Sequence, residues 1–226
     1  MAKVIRHTIR QIFRYPGERI VFEGFGESRY KYREMNEAFT ILEKAMILQM
    51  IYPVTSQNFP IRPNSKKRPK LQLLDTGLAC YYSGMRQEIF QSKNLDDAFS
   101  GHITEHITGQ EISALSNSYI DRLYFWTRES NHSSAEVDFV YPYKDMIIPI
   151  EVKKGAQGRL RSLHQFMDKS PHPYAVRVYS GLLGIQKAKT IAGTPYFLLN
   201  LPFFLVCCLD SYLDWFIKET GKMKNN

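Results

Sequence analysis

The stretch from Ala135 to Gly155, AEVDFVYPYKDMIIPIEVKKG, constrains the fold more than any other part of the chain. Apolar residues alternate around Asp138, a short polar turn follows, and a second apolar run leads directly into Glu151 and Lys153. This pattern predicts two antiparallel strands joined by the turn. Because side chains two apart on a strand share a face, Glu151 and Lys153 point the same way. The turn brings Asp138 back beside them.

Two carboxylates and a lysine at one place have a chemical use. Carboxylate oxygens hold a hard divalent cation such as Mg²⁺ or Mn²⁺, usually with waters retained. Lys153 would orient one of those waters and offset the charge that builds up on a phosphate. The residues therefore predict a metal-dependent phosphodiesterase with Asp138 and Glu151 as ligands. The same residues also fit an ordinary hairpin with solvated charges, because the D…ExK spacing recurs by chance.

The overall charge favours an anionic partner. The chain has 226 residues and a formal net charge of +8, which favours nucleic acid first and an anionic membrane second. The longest apolar stretch, 198–209, falls well short of the roughly 20 residues that span a bilayer, so we expect no membrane association. The cysteines indicate a different property. Cys80, Cys207 and Cys208 lack metal-ligand spacing. We expect them to be reduced core residues of a cytoplasmic protein.

The first part of the chain predicts helices followed by a strand pair. Apolar spacing predicts helices at Lys3–Tyr15 and Arg33–Ile47, and then strands at Leu48–Thr55 and Lys70–Leu74. Helices followed by a two-stranded wing are typical of a winged helix-turn-helix. The proline-rich loop between the strands would neutralise DNA phosphates without reading bases, although it also fits a solvated connection. Its cations are Arg62, Lys66, Lys67, Arg68 and Lys70.

The second part predicts an αβββαβ order of elements. They are helix Ile103–Leu115, strands Arg122–Arg128, Val137–Pro142 and Met146–Lys153, helix Leu160–Asp168 and strand Tyr174–Ser180. With Asp138 and Glu151-Val152-Lys153, this order resembles the PD-(D/E)xK nuclease superfamily, although Val137 stands where the superfamily name has proline. The resemblance implies an α/β restriction-endonuclease-like domain at residues 96–226, after a small α+β winged-helix-like domain at residues 1–95. It also implies that Glu105 joins Asp138 and Glu151 at the metal, and it makes Gln165 a candidate supporting residue.

A second resemblance concerns the context of the domain. The passage PKLQLLDTGLACYY, with the preceding EAFTILEKAMIL, resembles the region upstream of the nuclease-like domain in a large group of prokaryotic AAA+ type ATPases. In that group a P-loop ATPase domain comes first, then a winged-helix segment and a nuclease-like C-terminal domain. The resemblance covers nearly all of this chain and implies an ATPase domain or another protein as partner. No G-x-x-x-x-G-K-[ST] motif occurs, so we expect no ATPase activity from this chain alone.

Three functional interpretations follow from these patterns. The first is a Mg²⁺-dependent DNA phosphodiesterase whose catalytic residues are Asp138, Glu151, Lys153 and Glu105. The second is a catalytically inactive module of the ATPase that binds DNA or protein, or regulates. The third rests on residues 102–106, HITEH, which spell the inverted zinc-peptidase signature H-x-x-E-H. The third is the weakest, because a zinc site needs another ligand from a second helix.

Overall fold

The chain forms two compact units that both contain helices and strands, so the mixed α/β class is confirmed. The computed structural model describes residues 1–82, 101–115, 123–128, 135–153 and 159–224. Unit 1 comprises Met1–Tyr52 and Ser65–Gln110, and unit 2 comprises Pro53–Asn64 and Glu111–Asn226. The predicted domain boundary at residues 95 and 96 lies outside the described residues and stays a prediction.

Unit 1 combines helices with a two-stranded antiparallel ladder. Its regular elements are α1 (Ala2–Ile12), a 3-10 turn (Phe25–Glu27), α2 (Tyr32–Lys44), β1 (Leu48–Val54), β2 (Lys70–Leu73), α3 (Thr76–Tyr82) and α4 (Gly101–Leu115). The last residues of β1 and of α4 belong to unit 2. The ladder pairs β1 with β2 from Leu48↔Leu73 to Ile51↔Lys70. The helices and the strand pair lie where the sequence predicts them.

Helix α2 shows why unit 1 has a core. Its buried residues fall at i, i+3, i+4 and i+7, which is the stripe that a core-facing helix requires: Met35, Ala38, Phe39 and Leu42. The Glu34 carboxylate accepts the backbone N–H of Lys31 at 2.9 Å, which caps the first turn. Phe39 contacts two other buried rings of the unit edge-on, those of Phe22 and Phe25. Full burial of each such side chain stabilises the fold by roughly 1.5–3 kcal/mol.

Unit 2 is built around a six-stranded mixed sheet. Its elements are β3 (Tyr124–Thr127), β4 (Glu136–Tyr143), β5 (Met146–Val152), α5 (Arg161–Met167), β6 (Tyr174–Tyr179), β7 (Gly184–Lys189), β8 (Pro195–Pro202), a 3-10 turn (Phe203–Cys208) and α6 (Leu209–Lys224). The strand order is β3-β4-β5-β6-β8-β7. Strands β3 to β5 are antiparallel, β6 is parallel to both β5 and β8, and β7 is antiparallel to β8. The elements from α4 to β6 follow the predicted αβββαβ order.

The two faces of this sheet are covered by different helices. Helix α5 buries Leu163 and Phe166 in a cluster with Ile147 and Ala175. On α6, the Asp214 carboxylate accepts the hydroxyl of Tyr143 at 2.5 Å, and the Phe216 ring lies edge-on at 5.5 Å from Tyr174. Strand β5, which lies between two neighbours, is buried along nearly its whole length. A strand covered on both faces reads as a continuous apolar run, which is how the sequence reads up to Ile150.

The segment 53–64 packs within unit 2. The indole N–H of Trp126 donates to the carbonyl of Thr55 at 3.0 Å. The Gln57 amide donates to the carbonyl of Phe166, at the end of α5, at 3.1 Å. The predicted wing loop is therefore shared between the units: Arg62 belongs to unit 2, while residues 66–68 belong to unit 1.

The apolar C-terminal region differs from the prediction at its two cysteines. Cys207 and Cys208 are exposed, so the prediction that they are core residues is wrong. The reason is local, because they lie in a 3-10 turn in which Val206 is the buried residue. In the part of the chain that the structure describes, no helix has the length and apolarity needed to cross a membrane.

Candidate metal-binding site

The β4–β5 hairpin delivers the predicted residues to one place. Its turn consists of Lys144 and Asp145, and Lys144 adopts the left-handed backbone conformation that two-residue hairpin turns require. The turn fixes the register, which runs from Tyr143↔Met146 to Phe139↔Ile150. Asp138 precedes Phe139 on β4 and Glu151 comes after Ile150 on β5, so the two carboxylates lie on facing positions just beyond the last of these pairs.

Asp138 accepts a hydrogen bond from the neighbouring strand. Its Oδ2 atom lies 2.7 Å from the backbone nitrogen of Val152, the residue between Glu151 and Lys153. On the other side of β4, the register with β3 shifts between Tyr124 and Trp126. Irregularities of this kind re-aim side chains and are frequent next to active sites. The half-buried Asp138 carboxylate therefore provides the contact between β4 and β5 beyond their last backbone pair. This contact holds it next to the Glu151-Val152-Lys153 sequence.

Glu151 and Lys153 form a close ion pair. The Lys153 Nζ atom lies 2.6 Å from Glu151 Oε1, and the Glu151 side chain is only 6% exposed. A carboxylate buried to this degree needs a cation or hydrogen bonds to offset the loss of hydration. The backbone N–H of Lys153 donates to the Val178 carbonyl at 2.8 Å, which continues the pairing of β5 with β6 beyond the end of β5. The ion pair is thus anchored to the centre of the sheet.

A row of polar residues extends from Glu151 across the sheet. The parallel registers pair Glu151 with Arg177 on β6 and Arg177 with Asn200 on β8. The Arg177 Nε atom donates to Asn200 Oδ1 at 2.9 Å, and its guanidinium lies 4.7 Å from the ring centroid of Tyr179. The Tyr179 hydroxyl donates to the Leu182 carbonyl at 2.7 Å. These contacts orient the Arg177 guanidinium on the face that carries Glu151.

Sequence reasoning missed Arg177 and Asn200, although a signal was present. Each is a polar residue in an otherwise apolar strand sequence, YAVRVY and YFLLNLP. Only the pairing of β6 with β5 and β8 places them in one row with Glu151.

Glu105 lies on α4 in unit 1, where it pairs with Lys70. The Lys70 Nζ atom is 2.6 Å from Glu105 Oε1, and the lysine side chain is 6% exposed. Lys70 therefore differs from Arg62, Lys66 and Arg68, which are exposed, and from Lys67, which is half-buried. Lys70 is thus already paired within unit 1, which leaves the predicted DNA contact to the other four cations of the loop. The predicted role of Glu105 as a third metal ligand stays a prediction.

His106, the last residue of the H-x-x-E-H sequence, is part of the core of unit 1. Its Nε2 atom accepts the backbone N–H of Leu73 at 2.9 Å, and its Nδ1 atom lies 2.9 Å from the Thr76 hydroxyl. Burial lowers the pKa of His106 to about 4, so the ring is neutral at pH 7. Both ring nitrogens are engaged, which argues against the zinc-peptidase interpretation. The side chain of His102 lies outside the described part.

Gln165, the candidate supporting residue, lies on α5 at a surface of unit 2. Its Oε1 atom accepts from Arg128 Nη1 at 3.2 Å. This bond is exposed and joins β3 to α5. Its role at the metal site stays a prediction.

The donor chemistry of Asp138 and Glu151 fits a hard divalent cation. Magnesium is usually held by one or two carboxylates, with its other positions taken by water and substrate phosphate. Across residues 1–82, 101–115, 123–128, 135–153 and 159–224, no group of three or more His, Cys, Asp or Glu side chains is arranged to hold a metal ion. An ion held by these two carboxylates would take water and phosphate oxygens as its remaining ligands.

Comparison with known proteins gives two family matches that divide the chain. Residues 100–197 match a family described as Domain of unknown function (DUF4143), and residues 2–89 match one described as Domain of unknown function (DUF8612). The first match contains Asp138, Glu151 and Lys153, and the second contains the predicted wing loop. No curated protein and no solved structure matches the chain.

Proposed function

We propose that the chain hydrolyses DNA phosphodiester bonds with Mg²⁺ or Mn²⁺ at Asp138, Glu151 and Lys153. The observation that carries this proposal is the 2.7 Å hydrogen bond from the Val152 N–H to Asp138, which sets the aspartate against the Glu-x-Lys sequence. The predicted order of elements around the hairpin, which resembles the PD-(D/E)xK superfamily, supports the same conclusion.

Each residue has a separate role in this proposal. Asp138 and Glu151 would hold the ion, which when bound lowers the pKa of a bound water and stabilises charge on the phosphate. Lys153, held 2.6 Å from Glu151, supplies positive charge where the attacking water and the phosphate meet. Arg177 would bind a phosphate oxygen, because a guanidinium oriented by Asn200 and a tyrosine ring needs little further ordering.

The test is cleavage of supercoiled and single-stranded DNA in Mg²⁺ or Mn²⁺. The wild type is compared with Glu151→Gln and Lys153→Ala, and the control is Asp145→Asn, which removes an exposed carboxylate from the same hairpin. We expect the two site variants to lose activity by at least about 100-fold, as is usual when a positioned acid, base or charge is removed, and the control to keep it. Cleavage that persists unchanged in both folded site variants would overturn the proposal.

A second candidate is an inactive module of an AAA+ type ATPase that binds DNA or protein, or regulates. The observation that favours it is that one oxygen of each carboxylate is already engaged, Asp138 Oδ2 by a backbone N–H and Glu151 Oε1 by Lys153. Titration calorimetry separates the two candidates. Mn²⁺ binding that is lost in Asp138→Asn supports the phosphodiesterase, and a folded protein that binds DNA but no Mn²⁺ supports the inactive module.

A further inference from the structure

Helix α1 carries a single row of cations. Its α1 basic face consists of Lys3, Arg6, Arg10 and Arg14, and all four side chains are exposed. They are spaced by three or four residues, so they lie about one helical turn apart on one side of the helix. Arg14 lies two residues beyond Ile12, the last residue of α1, but it continues the turn, because its N–H donates to the Gln11 carbonyl at 2.9 Å.

The opposite side of α1 is held in the core of unit 1. Val4, Thr8 and Ile12 are buried, and the Thr8 hydroxyl donates to the Val4 carbonyl at 2.9 Å. At about 100° per residue, the four cations fall within a sector of roughly 80° that faces directly away from these buried residues. The His7 Nε2 atom, which lies 3.0 Å from the Phe25 carbonyl, further fixes the rotation of the helix. The basic face is thus presented outward by packing.

The charge of this face is not balanced locally. Helix α1 contains no acidic residue. Within the described part of the chain, the side-chain bonds of the four cations amount to one contact, from Arg14 Nη1 to Gln11 Oε1 at 3.4 Å. A row of exposed like charges destabilises a helix slightly, which a bound anionic polymer would reverse.

The chemistry of the face selects among anionic partners. A protein interface needs apolar or aromatic anchors at its centre, and the basic face has none. Insertion into a membrane interface would need the apolar side of α1, which is buried in unit 1. Single-stranded nucleic acid is bound by stacking on aromatic side chains, which this face also lacks. The phosphate backbone of a duplex needs only regularly spaced cations.

We propose that the α1 basic face binds the phosphate backbone of double-stranded DNA without reading its bases. The helix has 11 residues and is therefore about 16 Å long, so its cations lie along a length of duplex that carries roughly nine phosphates. Each phosphate that is neutralised contributes about −0.9 to the slope of log affinity against log salt concentration. This binding does not depend on metal or on the proposed hydrolysis.

The test is DNA binding by the full chain in EDTA, which prevents any metal-dependent cleavage. Fluorescence anisotropy with a short duplex of arbitrary sequence gives the affinity at several salt concentrations. The variant carries Arg6→Gln, Arg10→Gln and Arg14→Gln, which keep helix propensity and remove three charges. The matched control carries Lys169→Gln, Lys218→Gln and Lys222→Gln, which remove three exposed charges from unit 2.

We expect the α1 variant to reduce the magnitude of the salt slope by about 2.7 and the control to change it by less than one. Circular dichroism checks that the variant keeps its helix content, because the substituted side chains are exposed. Equal slopes for the α1 variant and the control would overturn the proposal. The proposal would also be overturned if the α1 variant kept duplex binding but no longer bound vesicles of anionic phospholipid. That result would assign the α1 basic face to a membrane surface.

Discussion

Acidification should lower the free energy of unfolding of unit 1 through protonation of His106. The ring is 1% exposed and neutral in the fold, where it accepts the Leu73 N–H and contacts the Thr76 hydroxyl. Its pKa is lowered from 6.5 to about 4 by burial. Because the folded pKa lies below the unfolded one, the unfolded chain binds more protons in this window. The stabilisation is therefore present above pH 6.5 and is lost as the pH falls towards 4.

The difference between the two pKa values corresponds to about 3 kcal/mol in full, of which about 2 kcal/mol is lost by about pH 5. The assay is urea unfolding of the wild type and His106→Gln at about pH 7.5 and pH 5. The glutamine oxygen can accept the Leu73 N–H but does not titrate in this range. We expect the variant to be less stable near neutral pH and to lose about 2 kcal/mol less on acidification.

His164 and His172 also have pKa values lowered by burial, but both are present in each protein and cancel in the comparison. An equal loss of unfolding free energy in the wild type and in His106→Gln would refute this reasoning, because the buried ring would then not be the group that takes up the proton.

Three further predictions concern the β4–β5 hairpin, the predicted wing loop between β1 and β2, and Gly181, which follows β6 and lies against the Tyr179 ring. Asp138→Asn should abolish Mn²⁺ binding in calorimetry yet keep an acceptor for the Val152 N–H, whereas Asp138→Ala should cost about 1–3 kcal/mol more in urea unfolding; equal stabilities would contradict the hydrogen bond. Replacing three cations of the predicted wing loop by glutamine should reduce the magnitude of the slope of log duplex affinity against log salt concentration by up to about 2.7. These cations are Lys66, Lys67 and Arg68. An unchanged slope would show that the loop does not contact DNA phosphates. Gly181→Ala would place a Cβ atom in steric overlap with the Tyr179 ring, so it should lower the free energy of unfolding by about 1–3 kcal/mol. An unaltered melting temperature would show that the ring moves aside without cost.

The hairpin could be predicted from sequence because its signals are local. A period-two alternation, a polar turn and a continuous apolar run specify β4 and β5 within a few residues, and the register then follows from the turn. The pairing of Glu151 with Lys153 follows from the same alternation, since the two residues are neighbours on one strand face.

The features that sequence missed depend on contacts between distant residues. Lys70 reads as part of a basic loop, and only the packing of α4 shows that it is buried against Glu105. The row from Glu151 to Arg177 and Asn200 exists because β6 inserts between β5 and β8, an order that no local pattern states. Strand β7 could not be predicted for a different reason, because none of its six residues is fully buried and no apolar alternation marks it.

Strand β7 also bears on how the protein behaves at high concentration. It is the last strand of the unit 2 sheet, and a terminal strand offers its backbone N–H and C=O groups to any other extended chain. Two exposed lysines, Lys187 and Lys189, lie on this short strand. Their charges disfavour the stacking of one copy's strand on another's, so they act as gatekeepers against fibrous aggregation. We expect that replacing both by valine would remove this charge barrier and favour the pairing of β7 strands from different copies of the protein.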